Sequence, residues 1–188
     1  MPIYTRFGDK GYSSIIGGIS LPKDEDIFEA IGTIDELNAI IGFLRSYLRE
    51  TDIVNKLKII QEKLTNMNVE LVSRYGKKIN RYRKYFIKKE DVDDIEKIID
   101  RYEKMLPEIR DFIIYGGSVE ASLMYYVRAI CRRAERRAVS LSKHIDLSNS
   151  FIIPYLNRLG DLLFIYGRYL NHLKGVKEEY WRHEGRRI

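Results

Sequence analysis

Residues 25–49 read EDIFEAIGTIDELNAIIGFLRSYLR. Ile27, Ile31, Ile34, Leu37, Ile41, Leu44 and Leu48 recur in this stretch at steps of three and four. That is the period of one face of an α-helix, so the spacing predicts an amphipathic helix to about 49. Gly32 and Gly42 weaken its propensity, and close helix packing is the expected reason for them. Asp35, Glu36 and Asn38 interrupt the apolar pattern with a polar group of their own.

Towards the C-terminus the same period returns four times. Asp52 is the expected cap of a second helix, continued by Leu57, Ile60, Leu64, Met67 and Leu71 towards residue 73. Residues 74–89 then hold eight lysines or arginines and no acid, with Tyr75, Tyr82, Tyr85 and Phe86 among them. A third helix runs from Asp91 through Ile95, Ile98, Ile99, Tyr102 and Leu106, and Pro107 stops it. After a loop containing Gly116 and Gly117, Ser118 is placed to cap a fourth helix reaching Leu141. A fifth starts near Ser150 and runs to Leu170, with Pro154 in its early turns.

Towards the N-terminus the pattern breaks down. Residues 2–24 follow neither period and interleave Gly8, Gly11, Gly17 and Gly18 with Thr5, Ser13, Ser14 and Ser20. The expectation is one all-α domain over 1–188: an irregular arm at 1–24, a helical bundle at 25–173 and a polar tail at 174–188. The 188 residues, 45% hydrophobic and 32% charged, suffice for a sizeable core and exclude a disordered tail. The net charge of +6 suits an anionic partner, nucleotide or nucleic acid. Cys131 is the single cysteine, so no intrachain disulfide forms. No apolar run reaches membrane-spanning length, and a cytoplasmic protein is the expectation.

Chemistry concentrates in two places. Thr5-Arg6-Phe7-Gly8-Asp9-Lys10-Gly11, followed by Ser13, Ser14, Gly17 and Gly18, supplies glycine backbone, hydroxyls and two cations. Such a segment cradles phosphate, because glycine lets amides approach an anion. A tied-down surface loop fits it equally well. Its spacing is not that of a Walker A loop. The second place is Arg128, Arg132, Arg133, Glu135, Arg136 and Arg137. Arg128, Arg132 and Arg136 share one helix face. They fit either a triphosphate site or a charged face with local ion pairs. Asn157, Arg158 and Asp161 polarise the fifth helix.

Other chemistries find little support. There is no HExxH motif, no cysteine pair for zinc, and His144, His172 and His183 are dispersed. Cys131 reads as a small buried helical residue. The basic, aromatic run admits nucleic acid, yet no RNA- or DNA-binding motif accompanies it.

Several motifs in order resemble the PduO-type ATP:cob(I)alamin adenosyltransferases: TRFGDKG at 5–11, SSIIGG at 13–18 with Lys23, GTIDELNAIIG at 32–42, FIIYGGS at 112–118, RAICRRAERR at 128–137 and YLNRLGDLLF at 155–164. The resemblance covers roughly residues 4–173. It implies a five-helix bundle that assembles as a homotrimer, with ATP and Mg²⁺ bound between subunits and reduced cobalamin as second substrate. Thr5, Arg6, Gly8, Asp9, Lys10, Gly11, Ser13, Ser14 and Lys23 would surround the phosphates. Arg132, Glu135, Arg136 and Asn157 would approach ATP from the helices. Phe112 would keep the lower axial base off Co(II), and Asp35 and Arg128 would pair across subunits. Candidate protein partners are a flavin reductase and an adenosylcobalamin-dependent mutase.

Two departures stand out. Tyr115 replaces the proline common before the paired glycines, and Met124 and Tyr125 replace a small residue and a histidine. Two other readings keep the motifs without this reaction: an ATP- or cobalamin-binding regulator or chaperone, and a nucleic-acid module.

Overall fold

The computed structural model describes residues 4, 6–109 and 111–181. The helices in chain order are α1 (Asp26–Tyr47), α2 (Thr51–Tyr75), α3 (Ile79–Tyr82), α4 (Lys89–Glu103), α5 (Val119–Leu141) and α6 (Ile152–Leu173). Five are long, and α3 is a single turn inside the basic run. The periodic positions do what their spacing predicts. Ile27, Ile34, Leu37, Ile41 and Leu44 of α1 are fully buried, as are Leu57, Ile60, Leu64, Met67 and Leu71 of α2. α5 lies centrally, packed on both α1 and α6, while α2 covers α1 and α4 covers α6. The all-α bundle expected from the sequence is the observed fold.

The helix ends follow the expected chemistry with two adjustments. The Ser118 hydroxyl accepts from the Ala121 amide at 3.2 Å, capping α5. Asp52 does not cap α2, which starts one residue earlier at Thr51. Its carboxylate sits in the first turn, where the helix dipole favours it. α6 begins at Ile152, not Ser150, and Ser150 Oγ accepts from the Ile152 amide at 3.3 Å. Pro154 is then the third helical residue, where the missing N–H breaks no helical bond.

The packing account of the α1 glycines holds for one of them. A Cβ added at Gly42 would lie 3.2 Å from Gln61 Nε2. At Gly32 it would meet nothing within 4 Å among the described residues, so packing within the chain does not explain that glycine.

Both ends of the chain are more ordered than their composition suggests. The arm forms a 3₁₀ turn at Phe7–Lys10 and a hairpin of β1 (Tyr12–Ser14) with β2 (Ser20–Pro22). Gly17 and Gly18 occupy φ of 105° and 78° in its turn. The hairpin is docked by buried Ile15 and by Ile16, whose carbonyl oxygen would lie 2.5 Å from a Cβ at Gly76, so only glycine fits there.

The region 174–188 is not simply a polar tail. β4 (Glu179–Tyr180) pairs antiparallel with β3 (Ile113–Ile114). Glu178 forms a buried ion pair with Arg168 at 2.6 Å, and Arg168 also donates to the Pro107 carbonyl at 2.7 Å. Residues 182–188 lie outside the described part.

The basic run is pinned at both ends. The buried Glu70 carboxylate accepts from Arg74 Nε at 2.9 Å, the Ile87 amide at 2.9 Å and Ser150 at 2.7 Å. Its aromatics are engaged by neighbouring cations: Arg74 over Phe86, Arg81 over Tyr82 and Lys84 over Tyr85. Among the described residues no helix is long and apolar enough to cross a membrane.

Candidate active site

The arm folds Lys23 back over its glycines. Hairpin pairing sets Tyr12 opposite Pro22, Ser13 opposite Leu21 and Ser14 opposite Ser20. The Lys23 amide donates to the Gly11 carbonyl at 2.8 Å. Gly8 then lies so near the Lys23 ammonium that an added Cβ would stand 2.9 Å from Nζ. Two residues fifteen apart in sequence thus meet. Arg6 and Gly11 flank the 3₁₀ turn with φ of 58° and 80°. Arg6, Asp9, Lys10, Ser14 and Lys23 are exposed, and Ser13 is half-buried. The arm is thus an open segment in which glycines alternate with the cations Arg6, Lys10 and Lys23. Thr5 lies outside the described residues.

The arginines of α5 divide into two sets. Arg133 pairs with Glu36 of α1, and Arg137 with Glu29 at 3.3 Å. Arg132 and Arg136 are exposed and have no ion pair or hydrogen bond among the described residues. Between them, Glu135 Oε1 accepts from Asn157 Nδ2 of α6 at 2.9 Å. Asn157 Oδ1 accepts from Arg158 at 3.0 Å, and Arg158 pairs with Asp161 at 2.7 Å and Glu96 at 3.0 Å. Those bonds, Asp161's first, push the Arg158 guanidinium further towards its charged form. Glu135 and Asn157, which the sequence nominated from separate helices, are therefore brought together.

At the other end of α5 the loop 112–118 is exposed. Phe112 is 76% exposed. Its carbonyl accepts from the Trp181 amide at 2.8 Å. Arg128 NH1 donates to the Tyr115 hydroxyl at 2.6 Å, and Asp35 accepts from Asn68 at 2.7 Å. Asp35 and Arg128 are thus each engaged elsewhere, and the chain does not pair them with one another. The Tyr115 ring stacks on Tyr125 with centroids 4.7 Å apart. Burial pushes the Tyr125 phenol up to about 12. Cys131 is fully buried, its thiol pushed up by desolvation and bonded to the Leu156 carbonyl at 3.3 Å, so it is a packing residue and no nucleophile.

Residues 3–170 match the model of the cobalamin adenosyltransferase family. The chain belongs to that family. Its activity is the ATP-dependent adenosylation of a corrinoid. The corrinoid adenosyltransferase of Bacillus subtilis (strain 168) is 37% identical over 187 residues, 97% of this chain and 93% of that protein. Corrinoid adenosyltransferase MMAB of Mus musculus is 36% identical over 183 residues, 96% of this chain and 77% of that one. A variant of the PduO-type ATP:corrinoid adenosyltransferase from Lactobacillus reuteri, complexed with cobalamin and ATP, superposes with a TM-score of 0.90 at 31% identity. It covers 97% of this chain and all of that one. A second variant of that enzyme, with the same two ligands, gives 0.88 at 31% identity, covering 96% of this chain and 97% of that one.

In this adenosyltransferase the described residues contain no group of three or more His, Cys, Asp or Glu side chains fit to cage a metal ion. Sequence reasoning missed the elements that hold the Phe112 loop. Asn171 Oδ1 accepts from the Ser118 amide at 2.8 Å, and its Nδ2 donates to the Gly116 carbonyl at 2.9 Å. Arg168 and Glu178 anchor β4 beneath it. An asparagine near a helix end and a glutamate in a polar tail carry no periodic signal. Only the fold makes them visible.

Proposed function

We propose that ATP binds with its triphosphate between the arm and the Arg132–Arg136 edge of α5, and that cobalamin binds against Phe112. The observation that carries this reading is the contrast within α5. Among the described residues Arg132 and Arg136 lack the counter-charge that Arg133 and Arg137 possess. Cations held without a partner beside a Glu135–Asn157 bond are suited to an incoming polyanion. Arg6, Lys10 and Lys23 add charge from the arm, and Gly8, Asp9, Gly11, Ser13 and Ser14 shape it around the phosphates. Thr5 belongs to the same segment. Magnesium bound to the triphosphate would neutralise part of its charge.

The reaction displaces triphosphate from C5′ of ATP. The Co(I) electron pair of the reduced corrinoid attacks that carbon, the C5′–O bond breaks, and the new Co–C bond yields adenosylcobalamin. The corrinoid substrate is itself the nucleophile, so this chain has to align the two substrates and receive charge on the leaving group. Arg132 and Arg136 take that charge. Phe112 excludes the lower axial base, which makes Co(II) easier to reduce because the accepting orbital loses a donor.

The same reading makes residues 1–188 one catalytic domain in a cytoplasmic homotrimer with sites shared between subunits. Asp35, Gly32 and Phe112, all exposed on the single chain, suit surfaces that a second copy completes, with Asp35 pairing to a neighbour's Arg128. A flavin reductase would supply Co(I), and a mutase would take the product.

The deciding experiment is anaerobic incubation with ATP, Mg²⁺ and chemically reduced cobalamin. Adenosylcobalamin and triphosphate are the expected products. Turnover to ADP and orthophosphate with no alkylated corrin would overturn the assignment.

A further inference from the structure

The loop 112–118 is fastened along its length by backbone bonds, with one gap. Phe112 is held by the Trp181 amide, and Ile113 and Ile114 pair with Tyr180 and Glu179. Gly116 and Ser118 are held by the two ends of the Asn171 amide. Asn171 also packs against Gly117, where φ is 101° and a Cβ would collide with that side chain. Tyr115 stands between these anchors. Its side chain is what fixes it.

That side chain makes two kinds of contact. Its ring stacks on Tyr125, nearly parallel at 15°, and meets the Phe164 ring at 6.4 Å. Tyr125 is itself packed closely on Gly167, where a Cβ would fall 2.6 Å from Cε1. The stack therefore rests on a rigid helix surface. The Tyr115 hydroxyl accepts from Arg128 NH1 at 2.6 Å, a short charge-assisted bond. Arg128 lies over two rings, 5.6 Å from the Tyr115 centroid and 5.4 Å from that of Phe164. Its Nε is buried with no hydrogen-bond partner among the described residues. The guanidinium is thus held by aromatic faces and one phenol, with further donors left for a carboxylate.

We propose that Tyr115 is a positioning residue that couples Arg128 to the corrin-facing loop. The proposal rests on the activity and the corrin position given above. A group that engages Arg128 and a corrin that presses on the loop act on the same phenol–guanidinium bond. By linkage each then alters the other's affinity. Tyr115 also makes the loop answer to Arg128 through a hydroxyl, which no apolar residue at that position supplies.

The test uses the full chain and begins with the wild type in the anaerobic assay. Tyr115→Phe keeps the stack and removes the bond to Arg128. It is expected to raise the KM for cob(I)alamin by about tenfold, the scale of one charge-assisted hydrogen bond, with the KM for ATP within about twofold. The four-coordinate Co(II) signal of the ATP-bound complex should fall in parallel. In an Arg128→Lys background the same change should add little, because residues acting through one bond are not additive.

Thermal melting of each variant shows that it folds. Tyr115→Leu, which fills the site without stack or hydroxyl, provides a second variant and should be at least as impaired towards cobalamin. If Tyr115→Phe matches the wild type in cobalamin KM and Co(II) signal, the coupling is wrong. It is also wrong if the two KM values rise together. A wild type that makes no adenosylcobalamin defeats the activity reading first and this inference with it, whereas an active wild type with an indifferent Tyr115→Phe overturns this inference alone.

Discussion

Two edges of one helix carry the same residue type and differ in what lies opposite. On the α1 side of α5, Arg133 and Arg137 meet Glu36 and Glu29. One residue earlier in each case, Arg132 and Arg136 have no counter-charge among the described residues. A shift of one residue rotates a helical side chain by about 100°, which here moves it from an internal ion pair to an open surface. The composition of the segment is therefore uninformative by itself. The neighbouring helix separates cations paired within the chain from cations with no counter-charge among the described residues.

The strongest attack on this contrast is Arg132→Ala. Losing a charge-assisted contact to developing triphosphate charge should lower turnover by roughly a hundredfold, with thermal stability close to wild type because no internal bond is lost. Adenosylcobalamin formation followed optically, beside a melting curve, measures both. Full turnover in a folded Arg132→Ala would erase the distinction between the two edges.

Phe112→Ala is the next largest. This exposed ring makes no demand on the core, so folding should survive. Turnover from cob(II)alamin with a mild reductant should fall by at least about tenfold, and turnover from preformed cob(I)alamin should fall less. Paired assays from the two oxidation states read this directly. Equal losses in both would make Phe112 a general packing residue.

Arg133→Ala and Arg137→Ala complete the comparison at its quiet edge. Exposed ion pairs contribute about 0 to 1 kcal/mol, so either variant should melt within a few degrees of wild type and keep turnover within about twofold. A hundredfold loss in Arg133→Ala would place this edge in the site as well.

The bundle was readable because burial of an apolar face imposes a period on the chain. Ile27 to Leu44 show it in α1, and Ser118 shows the matching cap of α5. The motifs of the proposed site stand out in the sequence too, since glycine, hydroxyl and cation cluster locally in the arm. Partnership does not. Nothing in the run RRAERR says that its second arginine faces Glu36 while its first faces outward. The closure of the Phe112 loop by β4 was equally hidden, because a two-residue strand has no measurable period and Arg168 finds Glu178 only after the chain turns at Gly175. Phe112 is 76% exposed beside that strand pairing, an exposure that an aromatic next to two isoleucines does not announce in the sequence.

Tyr125 sharpens the comparison by supplying an unpartnered polar atom of the opposite kind. Its hydroxyl is buried and has no hydrogen-bond partner among the described residues, so the criterion that nominates Arg132 for a ligand needs exposure as well as lack of a partner. If burial governs Tyr125, the consequence is thermodynamic. Desolvation raises its phenol to about 12 from an ordinary 10, with the nearby Glu178 carboxylate adding to the shift. Between those pH values the unfolded chain releases this proton and the folded chain keeps it. The folded state then binds more protons, so stability falls as pH rises through this window. Tyr125→Phe keeps the ring on Gly167 and lacks the titrating group. It should gain on the wild type by about 1 to 2 kcal/mol between pH 10 and pH 12. Denaturant melts of both proteins at pH 8, 10 and 12 measure that divergence. Tyr102, Tyr155 and Tyr166 are raised by the same desolvation and remain in both proteins, so the variant still loses stability in alkali, only less steeply. Parallel curves at all three pH values would show that the Tyr125 hydroxyl is solvated in solution. Exposure would then cease to separate it from Arg132 and Arg136.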